Sequence, residues 1–182
     1  MNAFEDLVAS LLRNRGYWVE SSFKVKLEKA EKAAIGRVSS PRWELDLIAY
    51  KAKRNELRVI ECKSFLDSRG VSSSSFGGSA KPDRYKLFNE PKLCKVVLSR
   101  LAAQLVGLGA IRANPKIQLC LAAGRIASER DRASLHKLFV VRGWLLLDER
   151  WVRDEMKALS KESYQNSVAS VVSKLLLRGR EV

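Results

Sequence analysis

Two short runs constrain this chain more than any other feature: Trp43-Glu44-Leu45-Asp46-Leu47-Ile48-Ala49-Tyr50 and Leu57-Arg58-Val59-Ile60-Glu61-Cys62-Lys63-Ser64. In both, charged and large apolar residues alternate, the period of a β-strand whose successive side chains point to opposite faces. A short polar turn around Lys53-Arg54 separates them, so the pattern predicts an antiparallel pair. Glu61 and Lys63 then share a face, as do Glu44 and Asp46. With an even-numbered loop, Asp46 lies opposite Glu61 and Glu44 opposite Lys63, their Cβ atoms roughly 4.5–5.5 Å apart. An odd-numbered loop destroys that match, and the sequence leaves both lengths open. Two carboxylates so close repel unless a cation lies between them, and paired hard oxygens suit Mg2+. The competing reading is a plain solvated strand face. Spacing leaves both standing.

The run Glu44 to Ala49, followed after a turn by Val59-Ile60-Glu61-Cys62-Lys63-Ser64, resembles the signature of the PD-(D/E)XK nuclease superfamily. It is closest to the Holliday-junction-resolvase-like and YraN-like branches. Their pattern is a glutamate on the first helix, an aspartate followed by small and aliphatic residues, then Glu-x-Lys on the next strand. Residues 1–65 carry the match, with weaker support to residue 150. Glu5 fits the helix glutamate, Asp46 the metal aspartate, and Glu61 with Lys63 the Glu-x-Lys element. The chain departs from the pattern twice. No glycine immediately precedes Glu44, and Gln104 is followed four residues on by Leu108 where some branches have tyrosine. The resemblance implies a restriction-endonuclease-like α/β fold, a mixed β-sheet flanked by helices, and Mg2+-dependent hydrolysis of phosphodiester bonds, with Mn2+ as a substitute. It further implies that Asp46, Glu61 and the Cys62 carbonyl hold the metal. Lys63 would orient the attacking water or stabilise negative charge, and Glu5 would position the metal or its water shell.

Charge supports a nucleic-acid partner. The formal net charge is +14, and Lys and Arg are spread along the chain, so the folded surface itself must be basic and attract polyanions. DNA is the expected partner, with RNA as the alternative. A ribosomal or membrane-surface protein would share the charge but has no use for Asp46 and Glu61. The runner-up function is a non-catalytic nucleic-acid-binding domain of the same fold. Its mark would be loss of an acidic ligand or the lysine, and all are present here. No apolar run approaches the ~20 residues that span a bilayer, and the Met1–Asp6 start does not read as a signal peptide, so a cytoplasmic protein without a membrane partner is expected. Cutting both strands would be easiest for a homodimer. Cys62, Cys94 and Cys120 are too far apart for a standard zinc site or a disulfide framework, and the single His136 receives no role.

The remaining pattern predicts a single domain over residues 1–182 in the order α-β-β-β-α-β-α-β-α. Residues 2–15 form a helix with Phe4, Leu7, Val8, Leu11 and Leu12 on one stripe and Glu5 at its edge. A strand is expected over 17–28 and a loop over 29–41. The stretch Asp67–Pro91, rich in Ser and Gly, reads as a mobile loop. There Arg69, Lys81, Arg84 and Lys86 would meet phosphates, and Phe76, Tyr85 and Phe88 would stack on bases. A helix over 92–109 places Arg100 and Gln104 on one face, where they could reach phosphate. Strand 116–123, helix 128–141 capped by Ser128, strand 143–147 and one long helix over 150–178 complete the expectation.

Overall fold

The computed structural model describes residues 2–36, 42–77 and 84–177. Asn2 starts the first helix, α1 (Ala3–Asn14), by accepting the Phe4 and Glu5 amides at 3.0 Å each, while Glu5 reaches back to the Asn2 amide. This capping box satisfies amides that the first helical turn leaves unpaired. The strands are β1 (Trp18–Val25), β2 (Trp43–Lys51), β3 (Glu56–Lys63), β4 (Lys116–Ala123) and β5 (Leu145–Leu147), in that spatial order. β1, β2 and β3 form an antiparallel meander; β4 and β5 run parallel to β3. The chain is thus an α/β protein built on a five-stranded mixed sheet.

Helices cover both faces because both faces are apolar. On one side α1, α6 (Glu149–Lys161) and α7 (Val168–Leu177) pack on Leu47, Ala49, Ile60 and Cys120. On the other, α3 (Lys86–Asn89), α4 (Pro91–Gly107) and α5 (Glu129–Arg142) cover Ile48, Leu57, Val59 and Leu121. Fully burying each such side chain contributes about 1.5–3 kcal/mol. No helix among the described residues is long and apolar enough to cross a membrane.

Three expectations are corrected. The predicted loop at 29–41 contains a short helix, α2 (Lys29–Ala34), whose capping-box residues Glu28 and Glu31 both engage Arg100. The long C-terminal helix is two, α6 and α7, separated by the polar run Glu162–Ser167. Lys174 of α7 closes the gap by donating to the Ser160 carbonyl at 3.2 Å and to that of Glu162. Short polar side chains there offer the backbone other partners than a helix.

The third correction concerns Asp67–Pro91. Within it the described residues are anchored, and 78–83, including Lys81, lie outside the described set. Val71 bridges to Ile126, with its amide on the Arg125 carbonyl and its carbonyl on the Ala127 amide, both at 2.9 Å. Asp131 accepts from the Ser73 amide (2.7 Å) and from the hydroxyls of Ser73 (2.8 Å), Ser72 (3.0 Å) and Ser128 (2.6 Å). These donors hold its carboxyl well below the usual carboxylate range, the Ser128 hydroxyl most, then the Ser73 amide. Asp131→Asn is therefore expected to cost about 1–2 kcal/mol in denaturant unfolding at neutral pH, the scale of charge-assisted bonds at a partly exposed site. The sign follows from the depressed folded pKa. The contribution is complete above the unfolded value near ~3.9 and is lost as pH falls through the folded one, so the difference between wild type and variant should begin to shrink only below pH ~4. A difference that does not change with pH would contradict the assignment.

Candidate active site

The site begins at a kink. Ser22 of β1 has φ +52°, a left-handed conformation uncommon outside glycine. β1 and β2 keep one register on both sides of it, from Ser21↔Leu47 to Phe23↔Leu45. Across this point the strands exchange faces: Val19 and Leu47 pack on the α1 side, Val25 and Leu45 on the α4 side. Asp46 sits at the crossover.

The β2–β3 ladder has the even-loop register, with Lys51↔Glu56 next to the Ala52–Asn55 turn, and it stops at Leu47↔Ile60. Asp46 and Glu61 are the next pair in that register. There the carboxylate replaces the backbone ladder, Asp46 Oδ2 accepting the Cys62 amide at 2.7 Å. A residue's amide and carbonyl leave a strand on the same side, so the Cys62 carbonyl also turns toward β2. Gly124 fixes the far side of β3. Its amide donates to the Lys63 carbonyl at 2.9 Å, and a Cβ there would lie 2.3 Å from the Ser64 carbonyl oxygen. The expected Glu44–Lys63 pairing does not form, because the strands part first; Glu44 pairs with Lys24 of β1.

Lys63 Nζ lies 3.0 Å from Glu61 Oε1. Burial raises the Glu61 pKa; Lys63 pulls it down, and the Asp46 carboxylate pushes it up. Asp46 and Glu61 thus act on each other electrostatically, and both line a cleft of about 220 Å³ together with Trp43, Tyr85, Lys86 and Leu87. The Tyr85 phenol is pushed up to about 12, first by burial and then by Glu61, so it stays neutral. Lys63 Nζ stands 6.0 Å from the Tyr85 ring centroid. The Cys62 thiol points to the other face, buried on the α1 side. Burial raises its pKa most, with Asp46 and Glu5 adding to the effect.

No family model matches the chain, no curated protein matches it, and no solved structure matches it. The reading of the site therefore rests on its residues.

Of the residues singled out from the sequence, the structure gathers Asp46, Glu61 and Lys86 in one cleft and sets Lys63 against Glu61. Glu5 is buried beneath the α1 side of the sheet, close enough to act on Cys62, but its carboxylate serves the capping box and does not line the cleft. Arg69 and Arg84 are exposed. Arg100 is engaged by Glu28 at 2.6 Å and Glu31 at 2.9 Å. Gln104 continues the β1 edge, accepting the Lys26 amide at 3.0 Å and donating to the Lys24 carbonyl at 3.2 Å. Phe76, Tyr85 and Phe88 are not splayed for base stacking. All three are buried, and Phe76 and Phe88 pack against Phe139. No local pattern in the sequence signals Trp43 and Tyr85 as cleft walls.

The donor set can be tested against a divalent cation. Among the described residues no group of three or more Asp, Glu, His or Cys side chains comes together. Two carboxylates lining one cleft, with the Cys62 carbonyl on the edge of β3 that faces β2, nevertheless supply hard oxygens, which suit Mg2+, an ion that keeps several waters and takes one or two carboxylates. The residues fit such an ion.

Proposed function

We propose that this chain is a Mg2+-dependent nuclease that hydrolyses phosphodiester bonds in DNA, cutting internally. One observation carries the reading: Asp46 and Glu61 meet beside Lys63 where the β2–β3 ladder opens into a cleft. The net charge of +14 supports a polyanionic substrate, since a surface repelling phosphate could not deliver it to an acidic pair. A divalent cation bound there would supply Lewis-acid polarisation of the phosphoryl group and of water. The Cys62 amide fixes one Asp46 oxygen, and the other would hold the ion. Lys63, 3.0 Å from Glu61, would supply a positive charge as the phosphoryl group's pentavalent transition state gains negative charge, where a fixed charge lowers the barrier. Lys86, which lines the same cleft, would meet a flanking phosphate. Three free cysteines, Cys62, Cys94 and Cys120, suit the reducing cytoplasm.

A second reading has its own observation. Glu5 is committed to the α1 cap, so one acid of the family pattern serves structure. The same fold could then bind nucleic acid without cutting it. Incubation with plasmid, forked, four-way-junction and single-stranded DNA and with RNA, in Mg2+, Mn2+ or EDTA, separates the two. The nuclease reading expects metal-dependent fragments from at least one DNA and none in EDTA. Binding without cleavage of any substrate would favour the second reading, and cleavage confined to RNA would reassign the substrate.

A further inference from the structure

We propose that Tyr85 is a positioning residue of this cleft, its ring face holding the Lys63 ammonium against the Glu61 carboxylate. The catalytic consequence rests on the nuclease reading; the contact itself does not. Lys63 Nζ lies 3.0 Å from Glu61 Oε1 and 6.0 Å from the Tyr85 ring centroid, so one cation is shared between a carboxylate and an aromatic face. That second distance is the outer reach of cation–π attraction, enough to bias a side chain with four rotatable bonds. The ring cannot drift. Tyr85 is 3% exposed, and the Phe76 ring packs against it with centroids 4.6 Å apart. Its backbone has φ +54°, a conformation a bulky residue keeps only when its surroundings impose it. This left-handed residue lines the cleft together with Asp46 and Glu61. A lysine that must meet a transient charge loses rate when it wanders by an ångström.

The test uses the full chain with two readouts: steady-state cleavage of DNA in Mg2+, and the Lys63 side-chain methylene resonance, assigned by its loss in Lys63→Arg. In Tyr85→Phe the ring face survives, so kcat should stay within about twofold and the ring-current shift of Lys63 should persist. In Tyr85→Leu kcat should fall about tenfold with KM nearly unchanged, and the Lys63 resonance should move to its ordinary position. Should Tyr85→Leu fail to fold, progressively fluorinated phenylalanines at position 85 keep the shape and weaken the π face, and kcat should fall with each fluorine. Unchanged kcat and an unmoved Lys63 resonance in Tyr85→Leu would overturn the proposal. So would a Tyr85→Phe variant as slow as Tyr85→Leu, which would give the role to the hydroxyl. If the wild type cleaves nothing, the nuclease reading fails by itself. The Lys63 resonance then decides the contact: a shift lost in Tyr85→Leu upholds it, and no shift overturns it.

Discussion

Glu61→Ala is expected to lose cleavage by at least about 10²–10³-fold, the scale on which removing one stabilising group at a reaction centre acts. Its thermal midpoint should match or exceed that of the wild type. Burial, the largest effect, and the neighbouring Asp46 oppose ionisation of Glu61 while the Lys63 ion pair favours it, so truncation relieves a net cost that exceeds the lost pair. Asp46 behaves differently. Asp46→Ala orphans the Cys62 amide, at about 1–3 kcal/mol, whereas Asp46→Asn keeps an acceptor for it and should lose activity with little loss of fold. Lys63→Ala should fall on the same scale as Glu61→Ala. Steady-state cleavage with thermal unfolding of each purified variant gives both numbers. Metal-dependent activity retained in folded Glu61→Ala would remove Glu61 from the site.

Salt should weaken binding steeply. A surface that neutralises phosphates releases condensed counterions, and log K falls by about 0.9 per phosphate contacted for each decade of salt. With a net charge of +14, a footprint of roughly six phosphates is reasonable. Between 50 and 200 mM salt the affinity for duplex would then drop by about 10³. Replacing Arg69, Arg84 and Lys86 together by Ala should lower the slope by up to about 3, while leaving the Asp46–Glu61 pair in place. Fluorescence anisotropy in EDTA across a salt series measures both. An affinity flat in salt would assign the basic surface to something other than nucleic acid.

The β2–β3 pair was legible because alternation and an even loop determine register locally. Asp46 followed Glu61 onto one cleft from that register alone. The exchange of faces at Ser22 was not legible. A left-handed serine has no sequence mark, nor does the end of the β2–β3 ladder at Leu47↔Ile60, which leaves Glu44 without the partner that alternation assigned to it. Phe76, Tyr85 and Phe88 fall among Ser and Gly with no period, so they read as a loop. Phe139 and Trp144, far away in sequence, pack on Phe76 and Phe88, and Phe76 in turn packs on Tyr85. Arg100 and Gln104 do share a helix face, as their spacing requires. What occupies that face, α2 and the edge of β1, is tertiary information. The break between α6 and α7 was masked by apolar residues that continue on both sides of a polar run.

If Asp46 and Glu61 together hold a divalent cation, as proposed, binding of Mn2+ reports it without reference to any substrate. Electron paramagnetic resonance of free Mn2+, titrated with wild type, Asp46→Asn and Glu61→Ala, measures this directly. Mn2+ should be bound by the wild type, displaced by Mg2+, and lost in both variants while their affinity for DNA in EDTA persists. Equal Mn2+ binding by wild type and both variants would contradict it.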